Sequence, residues 1–346
     1  MIWTLWKARV HMRRLIGALL ATGTAIFALA FGEPADAFEA GFINLTLVDP
    51  VEGGPMPVIV VYPSKSGAGA TGLGPFTISA ERGSPPVPGA HPLIVFSHGT
   101  GGSNLGHHDS LTALARAGFV AAAVEHPRDN YRDDSGFATD LQLVGRPHHI
   151  VALIDGLLAH STIGPMVDGG RVGMAGHSAG GYTALLIAGA VPNFALAQAY
   201  REAVPSDPYR KRADAAGTQR RKPDLQYVAD PRVRAIFVMA PALGFAFDQA
   251  GLAKVQIPVR LYRPAADEML PHPWHAERIA QFLPVRPEYL VLDGAGHFVF
   301  LAPCSWRLWW IARQICTDPP GIERAALHER LNAEMVTFFR RSLGPR

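Results

Sequence analysis

The chain has 346 residues, 48% of them hydrophobic, enough to bury a large core as one big domain or one domain with an insertion. Lys and Arg (32) nearly balance Asp and Glu (29), so the charge pattern carries no footprint for nucleic acid. With 35 glycines and 29 prolines, many tight turns are expected.

Residues 1–37 read as an export signal rather than as part of the fold. Lys7, Arg9, Arg13 and Arg14 form a basic start, Leu15 to Phe31 is an apolar core, and Ala35-Asp36-Ala37 is a small-residue cleavage signal. The apolar run is borderline for spanning a bilayer, which makes an uncleaved anchor the alternative. The cleavage signal favours removal, with no stable membrane anchor afterwards and a periplasmic or secreted product. Arg13-Arg14 hints at the twin-arginine route. The two cysteines that remain, Cys304 and Cys316, are an even pair in an exported chain and are expected to form a disulfide.

The fold is expected to begin with two strands, 43–48 with alternating polarity and 57–62 as a continuous apolar run. Residues 63–91, rich in Gly, Pro and Ser, read as a long loop with one short strand at 76–79. Pro92–Phe96 is a buried strand running into Ser97-His98-Gly99-Thr100-Gly101-Gly102-Ser103. A helix follows over 105–117, closed by Gly118. Residues 119–124 are the next strand, and 125–130 a polar loop. Pro147 fits a first helical position, and Ile150, Leu153, Ile154, Leu157 and Leu158 form the stripe of a helix packed on a sheet.

Residues 172–190 read as strand, sharp turn and all-round apolar helix, with Gly176-His177-Ser178-Ala179-Gly180 at the turn. The two glycines suit a place where strand and helix pass too close for side chains, and the turn would hold Ser178 at strained dihedrals. Residues 192–231 have little periodicity, five prolines and seven basic residues from Arg201 to Lys222. They read as a solvated face or as a lid inserted over the site. The alternation then resumes, with strands at 233–239, 258–262 and 288–292, a helix near 273–283 and a last helix over 322–342. That helix should bury Leu327, Leu331, Met335 and Phe338. Strands alternating with helices predict a mostly parallel sheet covered on both faces.

A serine hydroxyl needs an adjacent base, and that base needs an orienting group. In a strand–G-x-S-x-G–helix setting the order is Ser, acid, His, each on a loop after a strand. Strand 288–292 leads into Asp293-Gly-Ala-Gly-His297, so His297 is the expected base. His272 and His275 are rivals on or before a helix that should pack outward. Asp267, after strand 258–262 and 30 residues before His297, is the expected acid, with Glu268 as runner-up. The backbone N–H groups of Ala179 and Thr100 are the expected oxyanion donors. His107-His108-Asp109 and His148-His149 lack metal-site spacing, and no phosphate-binding glycine motif occurs, so neither a metal nor a cofactor is expected. Trp306, Trp309 and Trp310 read chiefly as core, or as a pocket wall.

Pro92–Ser103, Val124–Asn130, Gly173–Tyr182 and Gly294–Cys304 together resemble the α/β-hydrolase superfamily. The closer resemblance is to its secreted dienelactone-hydrolase-like branch, related to platelet-activating-factor acetylhydrolase. It covers roughly residues 40–340 and implies an α/β-hydrolase fold. True dienelactone hydrolases use a cysteine nucleophile. Ser178 stands at that position here, so the resemblance implies hydrolysis of an ordinary small-molecule ester through an acyl-enzyme. An acyltransferase or amidase with the same three residues is the rival reading, and a non-catalytic binding protein on this fold a more distant one.

Overall fold

The computed structural model describes residues 38–66, 69–207, 209–216, 222 and 224–344, so the expected export signal lies outside the described residues. The chain opens with an antiparallel pair, β1 (Glu39–Val48) and β2 (Pro55–Ser64), in register Gly41 to Tyr62. The distal half of β1 alternates half-buried and exposed residues because one face meets solvent, whereas β2 is covered on both sides. The expected loop 63–91 holds a small hairpin, β3 (Thr71–Leu73) and β4 (Phe76–Ile78), and the two-residue β5 (Glu81–Arg82). Next come β6 (His91–Ser97), α1 (His108–Arg116) and β7 (Val120–Val124), then α2 (Arg146–Ala159), β8 (Val167–His177) and α3 (Ala179–Ile187). Gly118, at φ +92°, ends α1 as expected. Within 192–231 lie two short helices, α4 (Ala197–Ala203) and α5 (Arg210–Ala216). The alternation resumes with β9 (Val233–Met239), α6 (Gln249–Leu252), β10 (Val259–Pro264), α7 (Ala276–Phe282) and β11 (Glu288–Leu292). The chain closes with α8 (Trp306–Ile311), α9 (Arg313–Cys316) and α10 (Arg324–Ser342).

Nine strands form one sheet in the order β11-β10-β9-β8-β6-β7-β2-β1-β5. From β7 to β11 every pairing is parallel, and β2 runs antiparallel to both its neighbours. Neighbouring strand residues serve opposite faces, as the period of two requires. Leu93 and Val95 join Ile150, Leu153, Leu157 and Leu185 beneath α2 and α3, while Ile94 and Phe96 join Leu111, Leu331, Met335 and Phe339 beneath α1 and α10. Each such fully buried side chain contributes about 1.5–3 kcal/mol. Phe339 sits so close to β8 that a Cβ on Gly173 would fall 2.6 Å from its ring, so α10 needs a glycine there.

Two sequence expectations are corrected by burial. Trp306 and Trp310 are 70% and 74% exposed, so the tryptophan cluster is not core. The Cys304–Cys316 disulfide, separated by 12 positions, closes an excursion that carries α8 and α9 outside both apolar clusters. His275 does not face outward with α7: it is buried, 3.3 Å from the Tyr200 hydroxyl. The 125–130 loop and the paired histidines reach the interior in part, since His107, His126, Asp129 and His149 are buried in polar contacts while Arg128 stays exposed.

Candidate active site

Strand β8 delivers Ser178 at the C-terminal edge of the sheet, in the turn to α3. Its backbone lies at φ 55°, ψ −117°, a region that costs a non-glycine residue about 1–3 kcal/mol. Close packing explains how it is held. A Cβ on Gly176 would come 2.2 Å from the Gly180 carbonyl oxygen, and one on Gly180 would come 1.9 Å from that of Ser97. The Ser178 N–H donates to the Met239 carbonyl at 2.9 Å, and the Ser178 carbonyl accepts from Tyr182 and Ala242. Ala179, first residue of α3, has an N–H with no acceptor inside the helix.

The imidazole of His297 stands between two groups. Its Nε2 is 3.1 Å from Ser178 Oγ, and its Nδ1 is 3.0 Å from Asp267 Oδ2. The loops carrying the imidazole and the carboxylate are zipped by main-chain bonds, Ala265 N–H to Leu292 O and Ala266 N–H to Ala295 O, both at 2.9 Å. Asp267 Oδ1 accepts from the N–H groups of Met269 and Leu270 at 2.9 and 2.8 Å, which leaves Oδ2 aimed at the imidazole. Glu268 takes a different place, accepting the backbone N–H of His297 at 2.9 Å.

The segment 297–300 is braced from beneath by three other histidines. His177 Nε2 donates to the His297 carbonyl at 3.1 Å, His328 Nε2 to that of Val299 at 2.8 Å, and His107 Nδ1 to that of Phe300 at 3.0 Å. His328 is tied through Nδ1 to Asp109 at 2.6 Å. Burial pushes His177 well below its ordinary pKa and His107 down to about 4, so both rings are neutral at neutral pH and donate through one nitrogen each. Sequence reasoning missed this brace, because its members are far apart in the chain.

On the other side of Ser178 lies the loop after β6. A Cβ on Gly99 would fall 3.2 Å from Ser178 Cβ, so the loop backbone rests directly against the serine. Thr100 follows at this edge, its hydroxyl oxygen accepting from Gln142 Nε2 at 2.9 Å. The next residue, Gly101, has φ +65° and donates its N–H to Asp129 Oδ1 at 3.1 Å. Asp129 lies in one of the segments that carry the resemblance, but the sequence assigns it no role there, and Gln142, before a helix, carries no signal of its own. The structure thus brings Ser178, His297, Asp267, Ala179 and Thr100 to one sheet edge. Among the described residues no group of three or more His, Cys, Asp or Glu is arranged to hold a metal.

The family model of the alpha/beta hydrolase family matches residues 94–306, well over half of the chain, and the protein belongs to that family. Its fold is the α/β-hydrolase fold, a mostly parallel central sheet flanked by helices. A solved structure similar to it is a ferulic acid esterase from Streptomyces cinnamoneus. The two are 20% identical with a TM-score of 0.60, over 92% of this chain and 93% of the other. No curated protein matches the sequence.

Proposed function

We propose that the protein is a serine hydrolase that cleaves carboxylic esters of small molecules through a Ser178–His297–Asp267 triad. The observation that carries this reading is the imidazole of His297 within hydrogen-bond reach of both Ser178 Oγ and Asp267 Oδ2. His297 Nε2 takes the serine proton as Oγ attacks the ester carbonyl, and Asp267 stabilises the imidazolium that forms. The N–H groups of Ala179 and Thr100 receive the oxyanion. His297 then protonates the departing alcohol, leaving an acyl-enzyme, and water repeats the sequence to release the acid.

The serine, where dienelactone hydrolases carry a cysteine, supports ordinary esters as the substrate class. The four matching segments support placement in the secreted branch related to platelet-activating-factor acetylhydrolase. Export of the chain is supported by the Cys304–Cys316 disulfide. Among the described residues no helix is long and apolar enough to cross a membrane.

Residues 192–231 act as a lid in this reading. Tyr200 on α4 stacks on Phe245 at 4.3 Å and meets Trp274 and His275, while Tyr209 packs on Phe137 at 5.7 Å. Burial, with carboxylates nearby, pushes the Tyr209 phenol up to about 12. The test is labelling with a fluorophosphonate followed by p-nitrophenyl esters of increasing acyl length. Label is expected on Ser178 and absent from Ser178→Ala. Label on another residue, or turnover retained in the variant, would overturn the assignment. Product analysis with an added alcohol distinguishes hydrolysis from acyl transfer.

A further inference from the structure

The loop bearing Thr100 contacts one end of a continuous buried chain of polar side chains whose other end is Asp49, in the turn between β1 and β2. Asp49 Oδ1 lies 3.1 Å from His149 Nε2, and His149 Nδ1 lies 3.1 Å from His126 Nδ1. His126 Nε2 is 2.8 Å from Ser97 Oγ, which is 3.1 Å from Arg146 Nη2. Arg146 Nη1 donates to Asp129 Oδ2 at 2.8 Å, with both side chains 1% exposed. Asp129 accepts from Gly101 N–H through Oδ1 and from Gln142 Nε2 through Oδ2 at 2.8 Å, and Gln142 Nε2 also donates to Thr100 Oγ1.

The Asp49 carboxylate 3.1 Å from His149 Nε2 favours a proton on that nitrogen by its charge, although the pair lacks hydrogen-bond geometry, and one set of proton positions then fits the remaining links. The buried ring of His149 is neutral, its pKa lowered by desolvation, which leaves Nδ1 bare to accept from His126 Nδ1–H. His126 Nε2 is then bare and accepts the Ser97 hydroxyl proton, and Ser97 Oγ accepts from Arg146. His98 fits the same scheme, donating from Nδ1 to Gly99 O at 2.7 Å and accepting the His126 backbone N–H on Nε2 at 3.1 Å. Buried polar chains of this kind rigidify when fully satisfied and are costly when one member is left unpaired.

We infer that Gln142, Asp129 and Arg146 are positioning residues that hold the Thr100 N–H where the oxyanion forms, and that Asp49 sets the hydrogen-bond direction that keeps Arg146 in place. None of the four is proposed to touch substrate, and the inference rests on the reading of Thr100 as an oxyanion donor. The probe is an aryl trifluoromethyl ketone. Ser178 Oγ adds to its carbonyl carbon, the serine proton passes to His297, and the carbonyl oxygen becomes an alkoxide facing Ala179 and Thr100.

In Gln142→Met, kcat and affinity for the ketone should fall together by about 10–100-fold, short of the 10²–10³ lost with an entire oxyanion donor, while KM changes less than about threefold. Hydrogen exchange of the 98–103 segment should quicken in the same variant. Asp49→Ala should reproduce a smaller form of both effects even if Gln142→Met folds poorly, and Asp49→Glu, which keeps the carboxylate, should restore them in part. Unchanged exchange in the variants would overturn the positioning role while leaving the oxyanion reading intact. Quickened exchange with undiminished ketone affinity would overturn the inference by removing Thr100 from the oxyanion site. Ketone binding by Ser178→Ala reports separately on the triad.

Discussion

Two loops flank Ser178, and they are held by opposite chemistry. The segment 297–300 presents carbonyls to its supports, and three imidazoles donate to them. The 99–102 loop presents an N–H and a hydroxyl to its supports, and these are met by the carboxylate and amide of Asp129 and Gln142, with Arg146 behind. His107 and His177 are neutral, but His328 also faces the Asp109 carboxylate and Glu268 accepts the His297 N–H, so carboxylates stand behind that loop as well. Behind the other loop stands the buried Arg146–Asp129 ion pair. The lesson is that each loop's supports answer what the loop presents, donors meeting carbonyls and acceptors meeting N–H groups.

The largest break in this arrangement is removal of its centre. Ser178→Ala and Asp267→Asn should each lower kcat by roughly 10⁴-fold on a p-nitrophenyl ester. Both variants should retain the melting temperature of the parent within a few degrees, as read by circular dichroism.

Acid is the next largest break and weakens the supports of both loops. His107 is held near pKa 4 by burial, against about 6.5 in the unfolded chain, so the unfolded state binds the extra proton between those values. Its contribution is whole above about pH 6.5 and is lost as pH falls toward 4, by about 3 kcal/mol in all. His98, His126, His149, His177 and His275 are lowered by burial as well and act in the same direction. Denaturant melts between pH 7 and pH 4.5 should show stability falling steeply with acid, and a flat profile would contradict the buried neutral rings.

Reduction of Cys304–Cys316 probes the chain beyond the base loop. A ring of this length contributes about 3 kcal/mol, so the midpoint should drop by several degrees without unfolding at room temperature. The accompanying expectation is a modest loss of turnover, because Pro319, just past the ring, packs against Gly296. A reduced enzyme with unchanged midpoint and kcat would show that the ring is uncoupled from His297.

The smallest effect sharpens the assignment of two adjacent acids. Glu268→Gln keeps an oxygen able to accept the His297 N–H, so turnover should stay within about tenfold, against the roughly 10⁴-fold loss in Asp267→Asn. The reverse ranking would move the acid by one residue.

The sequence made Ser178 legible because its turn is local: two glycines, a strand before and a helix after all lie within a few residues. Asp267 and His297 were legible through chain order, each falling on the loop that ends a strand. The supports were not. Gly101 and Asp129 are 28 positions apart, His107 and Phe300 are 193 apart, and neither pair has a periodic signature. The tryptophans misled for the converse reason. An apolar run reads as core on composition alone, and nothing in Trp306-Arg-Leu-Trp-Trp310 tells that a disulfide holds it outside.

That stapled excursion has a spectroscopic consequence. The tryptophans among the described residues are Trp274, Trp306, Trp309 and Trp310, and three of them sit inside the disulfide ring. Trp306 and Trp310 are largely in solvent, and neither apolar face of the sheet contains an indole. Intrinsic fluorescence of the described residues is therefore a reporter of the 304–316 ring and of the Trp274 turn, with a red-shifted native emission, Trp3 and Trp6 lying outside them. An emission change on adding reductant or a ligand would register there first, while loss of the nine-stranded sheet has to be followed in the far ultraviolet.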